Sequence, residues 1–139
     1  ALVQAAIEGV DGLESCDLEI VRGGYSYTVD TVDELRRRDA AAELFLLVGS
    51  DVAASLGTWK DPERLRAEVR LVVMDRAGSV PVEPASLEGW NVTVVEVPAL
   101  EVSSTDLRHR ASRGRPLDFL IPHAAIRVIA ERGLYARDR

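Results

Sequence analysis

Leu44-Phe45-Leu46-Leu47-Val48-Gly49-Ser50-Asp51 is the most apolar stretch of this 139-residue chain, and its reading sets the architecture. Five consecutive apolar residues closed by a glycine predict a strand buried on both faces, the habit of parallel sheets. Asp51 is placed to cap a following helix running to about Leu56, with Gly57 ending it. Outward from this run the pattern repeats. Upstream, Leu18-Glu19-Ile20-Val21 predicts a short strand closed by Gly23-Gly24. Thr31-x-x-Glu34 has capping-box spacing and predicts a helix through Arg38, with Val32 and Leu35 inward. Downstream, Asp61-Pro62 sets a cap before a proline at the first helical position and predicts a helix to about Ala67. Leu71-Val72-Val73-Met74 predicts a third strand and Val92–Val97 a fourth. Residues 77–90, with Gly78, Pro81, Pro84 and Gly89, read as a loop with one helical turn. A last helix follows Pro122 and ends at Gly133, with Leu134 and Tyr135 packing back. Strands alternating with helices predict one α/β domain over residues 1–139, a parallel sheet with helices on both faces. Ligands of such sheets bind outside the carboxyl ends of the strands, which singles out residues 23–31, 49–51, 75–78 and 98–108.

Composition narrows the function. Hydrophobic residues make up 47% of the chain, enough for a real core, and no apolar run approaches a membrane span. Seventeen basic against 23 acidic residues leave a net charge of −6 with no basic tract, which argues against a nucleic-acid partner but allows a local anion pocket. Cys16 is the single cysteine, so no intrachain disulfide forms, and two histidines, His109 and His123, do not build a transition-metal site. No signal peptide is visible, which favours the cytoplasm. The single methionine is Met74, and residues 1–7 read as the tail of a helix already under way. Sequence upstream of Ala1 is therefore expected. The pattern leaves room for a homo-oligomer.

Val102-Ser103-Ser104-Thr105-Asp106-Leu107-Arg108 follows the last strand. Ser103 and Asp106 have the spacing of a capping box, so a helix starts here and runs to about Gly114. Two readings fit: an ordinary capped helix with a solvated arginine, or a phosphate site. In the second, free amides and the positive end of the helix dipole face the anion, and Arg108 adds a forked guanidinium. The other strand ends divide the same way. Residues 26–32 are either a turn plus cap or a hold for a small carboxylate. Gly49 and Asp51 combine close backbone approach with an acceptor for ribose hydroxyls, compatible with capping. Trp59, between two short helices, is either a packing residue or a stacking surface for a flat ring. Arg76 is either a surface arginine or a nucleotide contact.

Taken in order, these segments resemble the bacterial nicotinate-nucleotide adenylyltransferases of the nucleotidylyltransferase superfamily. Residues 102–108 resemble that family's Ile-Ser-x-Thr-x-x-Arg. Tyr27-Thr28-Val29-Asp30-Thr31-Val32 resembles Tyr-Thr-x-x-Thr-Leu, and Gly49-Ser50-Asp51 resembles Gly-x-Asp. Trp59 matches the family's tryptophan, with Lys60 where some relatives carry an aromatic. Asp75-Arg76-Ala77-Gly78 resembles Arg-Pro-Gly with alanine in place of proline, and Leu120-Ile121-Pro122 with Gly133-Leu134-Tyr135 resembles the closing Leu-x-Pro…Gly-Leu-Tyr.

The resemblance implies a Rossmann-like nucleotidylyltransferase fold and adenylyl transfer from ATP to nicotinate mononucleotide, giving deamido-NAD and pyrophosphate. It implies that Thr28, the amide of Val29, Trp59 and Lys60 bind the mononucleotide. Gly49, Asp51, Arg76, Ser103, Ser104, Thr105 and Arg108 would bind ATP, with Ser103 and Arg108 steadying the leaving phosphates as the catalytic pair. Mg2+ would be held by substrate phosphates, with no metal ligand from the chain. The family's opening Gly-x-Phe-x-Pro-x-His-x-Gly-His is not in these 139 residues. The expectation is therefore a C-terminal two-thirds of the domain, its first strand and helix lying before Ala1. The alternatives are a sister enzyme acting on nicotinamide mononucleotide or phosphopantetheine, and a non-catalytic nucleotide-binding module. Phosphopantetheine has no ring for Trp59.

Overall fold

Three strands pairing in parallel organise the computed structural model of the protein, which describes residues 1–76 and 84–136. They are β1 (Phe45–Gly49), β2 (Arg70–Arg76) and β3 (Val92–Val97), in the order β1-β2-β3. The helices are α1 (Leu2–Ala6), α2 (Leu18–Arg22), α3 (Thr28–Arg38), α4 (Ser50–Ala53), α5 (Pro62–Glu68), α6 (Ser104–Ser112) and α7 (His123–Glu131), with 3-10 turns at Leu56–Thr58 and Pro84–Leu87. The expected loop at residues 77–83 lies outside the described residues. Two compact units result: Leu18–Ala99, which holds the sheet, and Ala1–Asp17 with Leu100–Arg139.

In the sheet unit, register decides which side chains form the core. Leu46 lies opposite Leu71 and Leu71 opposite Val92; two residues on, Val48 lies opposite Val73 and Val73 opposite Val94. Residues two apart share a face, so Val48, Leu71 and Val73 point the same way. They bury against Val29 and Val32 of α3, Ala53 of α4, Leu56, Leu65 of α5, and Trp90. On the other side of β1, Phe45 and Leu47 remain about half exposed, at 51% and 57%. The run expected to be buried on both faces is thus buried on one. The sheet and its crossover helices nonetheless make this an α/β fold of the Rossmann-like class.

The segment expected as a first strand, residues 18–21, is instead the helix α2, of which only Leu18 is buried. Its polar residues explain why the Thr31–Glu34 capping box does not form. The Thr31 hydroxyl donates to Glu19 at 2.7 Å, and Arg22 donates to Glu34 at 3.0 Å and to the Thr31 hydroxyl at 3.3 Å. With both box residues engaged by α2, α3 starts a turn earlier, after Tyr27, with no side-chain cap. Pro62 opens α5 as expected, although the Asp61 side chain ahead of it makes no capping bond and the residue is left-handed (φ 48°). The helix after β1 is also shorter than expected: α4 stops at Ala53 and Gly57 sits inside the following 3-10 turn.

In the other unit α1 packs on α7, and Leu117 and Ala125 are buried. Both longer helices end as the glycines predict. Gly114 and Gly133 take positive φ, and each pairs with the next residue to close the last turn: Gly114 N–H to Ala111 and Arg115 N–H to Arg110, then Gly133 to Ala130 and Leu134 to Ile129. That is the Schellman arrangement, which satisfies carbonyls the helix itself cannot.

Two outcomes follow. Leu71→Ala leaves a cavity in the central strand and lowers unfolding free energy by about 2–5 kcal/mol in urea titration. Arg22, donating to Glu34, holds that carboxyl below its ordinary 4.5, against a smaller opposing effect of desolvation. A depressed folded pKa adds stability above the unfolded value and loses it as pH falls through the folded one. Stability measured from pH 7 to pH 3 therefore falls more steeply in the wild-type chain than in Glu34→Gln.

Candidate functional site

The sheet unit brings two of the sequence-marked segments into one cleft. Ser26, Tyr27 and Thr28 form one wall, and Thr58, Trp59 and Lys60 the other, around about 320 Å3. Tyr27 is extended and Thr28 is the first residue of α3, so the helix start faces the cleft. Val29 is 1% exposed, its side chain anchored in the core, which fixes the backbone beside Thr28. Among the described residues the amides of Thr28 and Val29 meet no acceptor. Trp59 follows the 3-10 turn, half-buried, with its indole packed against the core. Lys60 reaches across: its Nζ lies 3.0 and 3.1 Å from the Asp30 carboxylate oxygens and 4.6 Å from the centre of the Tyr27 ring. A flat ring with an anionic edge suits such a cleft, with an aromatic surface on one side and hydroxyl and amide donors on the other. Asp30 lies within the marked residues 26–32, but nothing local in the sequence gives it a role. It lies thirty positions from Lys60, and no local pattern couples them.

At the carboxyl edge of the sheet, Gly49 ends β1 and is itself the N-cap of α4, in extended conformation. Asp51, expected as that cap, sits inside the first turn and is exposed. Its carboxylate folds back over Gly49: a Cβ there would lie 2.6 Å from Asp51 Oδ1. Glycine is therefore required for the carboxylate to hold this pose. Arg76 ends β2, exposed, opposite Val97 of β3, while Ala77-Gly78 lies outside the described residues. One register lower, Asp75 faces Glu96, and the two border a hollow of about 430 Å3 with Val97 and Pro98. Sequence reading missed this acidic pair, because only the strand register aligns residues 21 apart.

Residues 102–108 belong to the other unit and fold as their spacing predicts. Ser103 is the N-cap of α6, and its hydroxyl accepts from the Asp106 amide at 3.0 Å. The amides of Ser104 and Thr105 meet no acceptor among the described residues. Arg108 donates to the Thr105 hydroxyl at 3.3 Å, which holds the guanidinium near the first turn. Ser104 and Arg108 also edge an apolar hollow of about 200 Å3, with Leu107, Leu117, Ile129 and Tyr135 among its walls. Free amides, the helix dipole and an exposed arginine converge there in a form that suits phosphate. His123 is exposed, 3.8 Å from Asp118.

A parallel sheet with a glycine–acid turn at its carboxyl edge and an aromatic cleft in the same unit belongs to the α/β class whose ligands bind outside the carboxyl ends of the strands. Residues 1–110 match the cytidylyltransferase-like family. Relatives named "probable nicotinate-nucleotide adenylyltransferase" include one from Exiguobacterium sibiricum, 42% identical over 97% of this chain and 70% of its own length. One from Streptomyces coelicolor is 41% identical over 85% of this chain and 62% of its own. The chain belongs to the cytidylyltransferase-like family, in the branch of the nicotinate-nucleotide adenylyltransferases. It spans between 62% and 70% of the length of these two relatives. The Plasmodium falciparum nicotinic acid mononucleotide adenylyltransferase complexed with NaAD shares the fold, with a TM-score of 0.64 at 18% identity over 80% of this chain and 58% of that one.

Ser103→Ala removes the α6 cap and costs about 1 kcal/mol of stability by chemical denaturation. An unchanged midpoint would show that the Ser103–Asp106 bond does not hold the helix start.

Proposed function

We propose that the chain serves adenylyl transfer from ATP to nicotinate mononucleotide, giving deamido-NAD and pyrophosphate. The observation that carries this reading is the cleft in which the start of α3 meets Trp59. Its chemistry suits a pyridine ring carrying a carboxylate, the group that distinguishes this substrate. Trp59 stacks on the ring, while the Thr28 hydroxyl and the backbone amides of Val29 and Lys60 meet the carboxylate. Gly49 admits the nucleotide close to the backbone, Asp51 accepts from ribose hydroxyls, and Arg76 adds charge at the same sheet edge. Ser103, Ser104, Thr105 and Arg108 hold the β- and γ-phosphates with hydroxyls, amides and a guanidinium.

The reaction is an in-line displacement. A phosphate oxygen of the mononucleotide forms a bond to the α-phosphorus of ATP, and the bond from that phosphorus to the bridging oxygen breaks, releasing pyrophosphate. Neither a covalent nucleophile nor a tuned base is required, because positioning and charge stabilisation carry such reactions. Among the described residues no three His, Cys, Asp or Glu side chains gather to hold a metal. A magnesium ion carried on the phosphates of ATP would neutralise charge on the leaving group.

Calorimetry on the folded chain tests the reading with ATP and with nicotinate mononucleotide. Arg108→Ala weakens ATP about tenfold or more, the size of a lost charge-assisted hydrogen bond, and leaves the mononucleotide unchanged. Trp59→Ala weakens the mononucleotide about three- to tenfold and leaves ATP unchanged. A folded chain that binds neither ligand overturns the proposal.

A further inference from the structure

Acid and amide mononucleotides differ at one ring substituent, charged in the first and neutral in the second. Lys60 is the cation among the cleft's lining residues. Its ammonium is held from two sides, by both carboxylate oxygens of Asp30 and by the face of Tyr27, the residue immediately before Thr28. The Lys60 side chain is 42% exposed, so the ammonium remains open to a third partner, and a lysine has three hydrogens to donate. The aromatic face beneath it orients the charge without neutralising it. We propose that the Lys60 side chain sets substrate specificity in this cleft, favouring a ring with a negative substituent over its uncharged counterpart. This inference rests on the cleft being the mononucleotide site.

The backbone donors at Thr28 and Val29 can bond a carboxylate or a carboxamide oxygen, so they discriminate weakly. A full positive charge discriminates more strongly, because only the carboxylate has a matching charge. Asp30 acts in both directions: it fixes the ammonium in place, yet its own negative charge repels an incoming anion. The two partners of one ion pair should therefore shift selectivity with opposite signs. A plain mechanical clasp between the Trp59 loop and α3 would behave differently, since breaking it from either side would loosen the same wall.

The experiment titrates the folded chain with nicotinate mononucleotide and with nicotinamide mononucleotide by calorimetry, and reads the ratio of affinities. Lys60→Met, which keeps the stem and removes the charge, lowers the acid-to-amide ratio about fivefold, as for a partly exposed charge pair. Lys60→Arg restores most of the ratio. Asp30→Asn raises it. If Lys60→Met and Asp30→Asn instead weaken both ligands by a common factor, Lys60 is a clasp and the specificity role is overturned. If the wild-type chain binds neither mononucleotide, the cleft assignment fails, and this inference fails with it. Binding of the acid with a ratio that ignores all three substitutions overturns the role of Lys60 alone.

Discussion

Parallel pairing of β1, β2 and β3 is the constraint on which the sheet unit depends. Strands that run the same way need a crossover between each pair, and every crossover leaves from the same edge of the sheet. Gly49, Arg76 and Val97 therefore all end at that edge, Gly49 in register with Met74 and Arg76 with Val97. The core has the same origin. Leu71 and Val73 are buried because β2 is central, and the α4–α5 crossover must cover it to return the chain from β1 to β2. Site and core are thus two results of one topology. A substitution that disturbs β2 register would move the Asp75–Glu96 pair and the core side chains together.

The cleft around Trp59 shows how that rigidity reaches a loop. Three residues bracket it: Val29 and Leu56 are buried in the core, and Trp59 packs on its margin. Thr28 and Lys60 lie one residue beyond those anchors, so their backbone amides are placed by packing rather than by the cleft's own contacts. Binding groups held by neighbours in the core need less ordering when a ligand arrives, and that lowers the entropic cost of recognition.

Much of this was legible in sequence where a residue's role is local. The Ser103 cap of α6 and the glycine closures at Gly114 and Gly133 need only neighbours within one turn, and each forms as read. Val92–Val97 is the predicted strand to the residue. Legibility failed where distant partners compete. Leu18-Glu19-Ile20-Val21 is too short for periodicity to separate strand from helix, and as a helix it places Glu19 and Arg22 in hydrogen-bond contact with α3. Those same ties remove Thr31 and Glu34 from the expected capping box. The run at β1 predicts double burial and finds single burial because consecutive apolar residues report hydrophobicity and say nothing about which faces are covered. The Lys60–Asp30 pair and the Asp75–Glu96 pair join residues 30 and 21 positions apart, beyond any local rule.

A chain with a net charge of −6 is an unlikely-looking host for anionic ligands, yet the long-range field matters little here. At physiological salt the Debye length is about 8 Å, so charges elsewhere on the surface are largely screened at any one site. What would act on a phosphate or carboxylate at the two proposed sites is the first few ångströms: the open amides of Ser104 and Thr105 beside Arg108, and those of Thr28 and Val29 beside Lys60. Both places use the same construction, a helix start whose first amides are free and one cation tethered to a neighbour, Thr105 in one case and Asp30 in the other. The tether differs in a way that suits the proposed ligands. A neutral hydroxyl leaves the full charge of Arg108 for a polyphosphate, whereas a carboxylate tempers Lys60 for a singly charged ring substituent. The local charge at each helix start, rather than the net charge of the chain, is therefore what the proposed substrates would read.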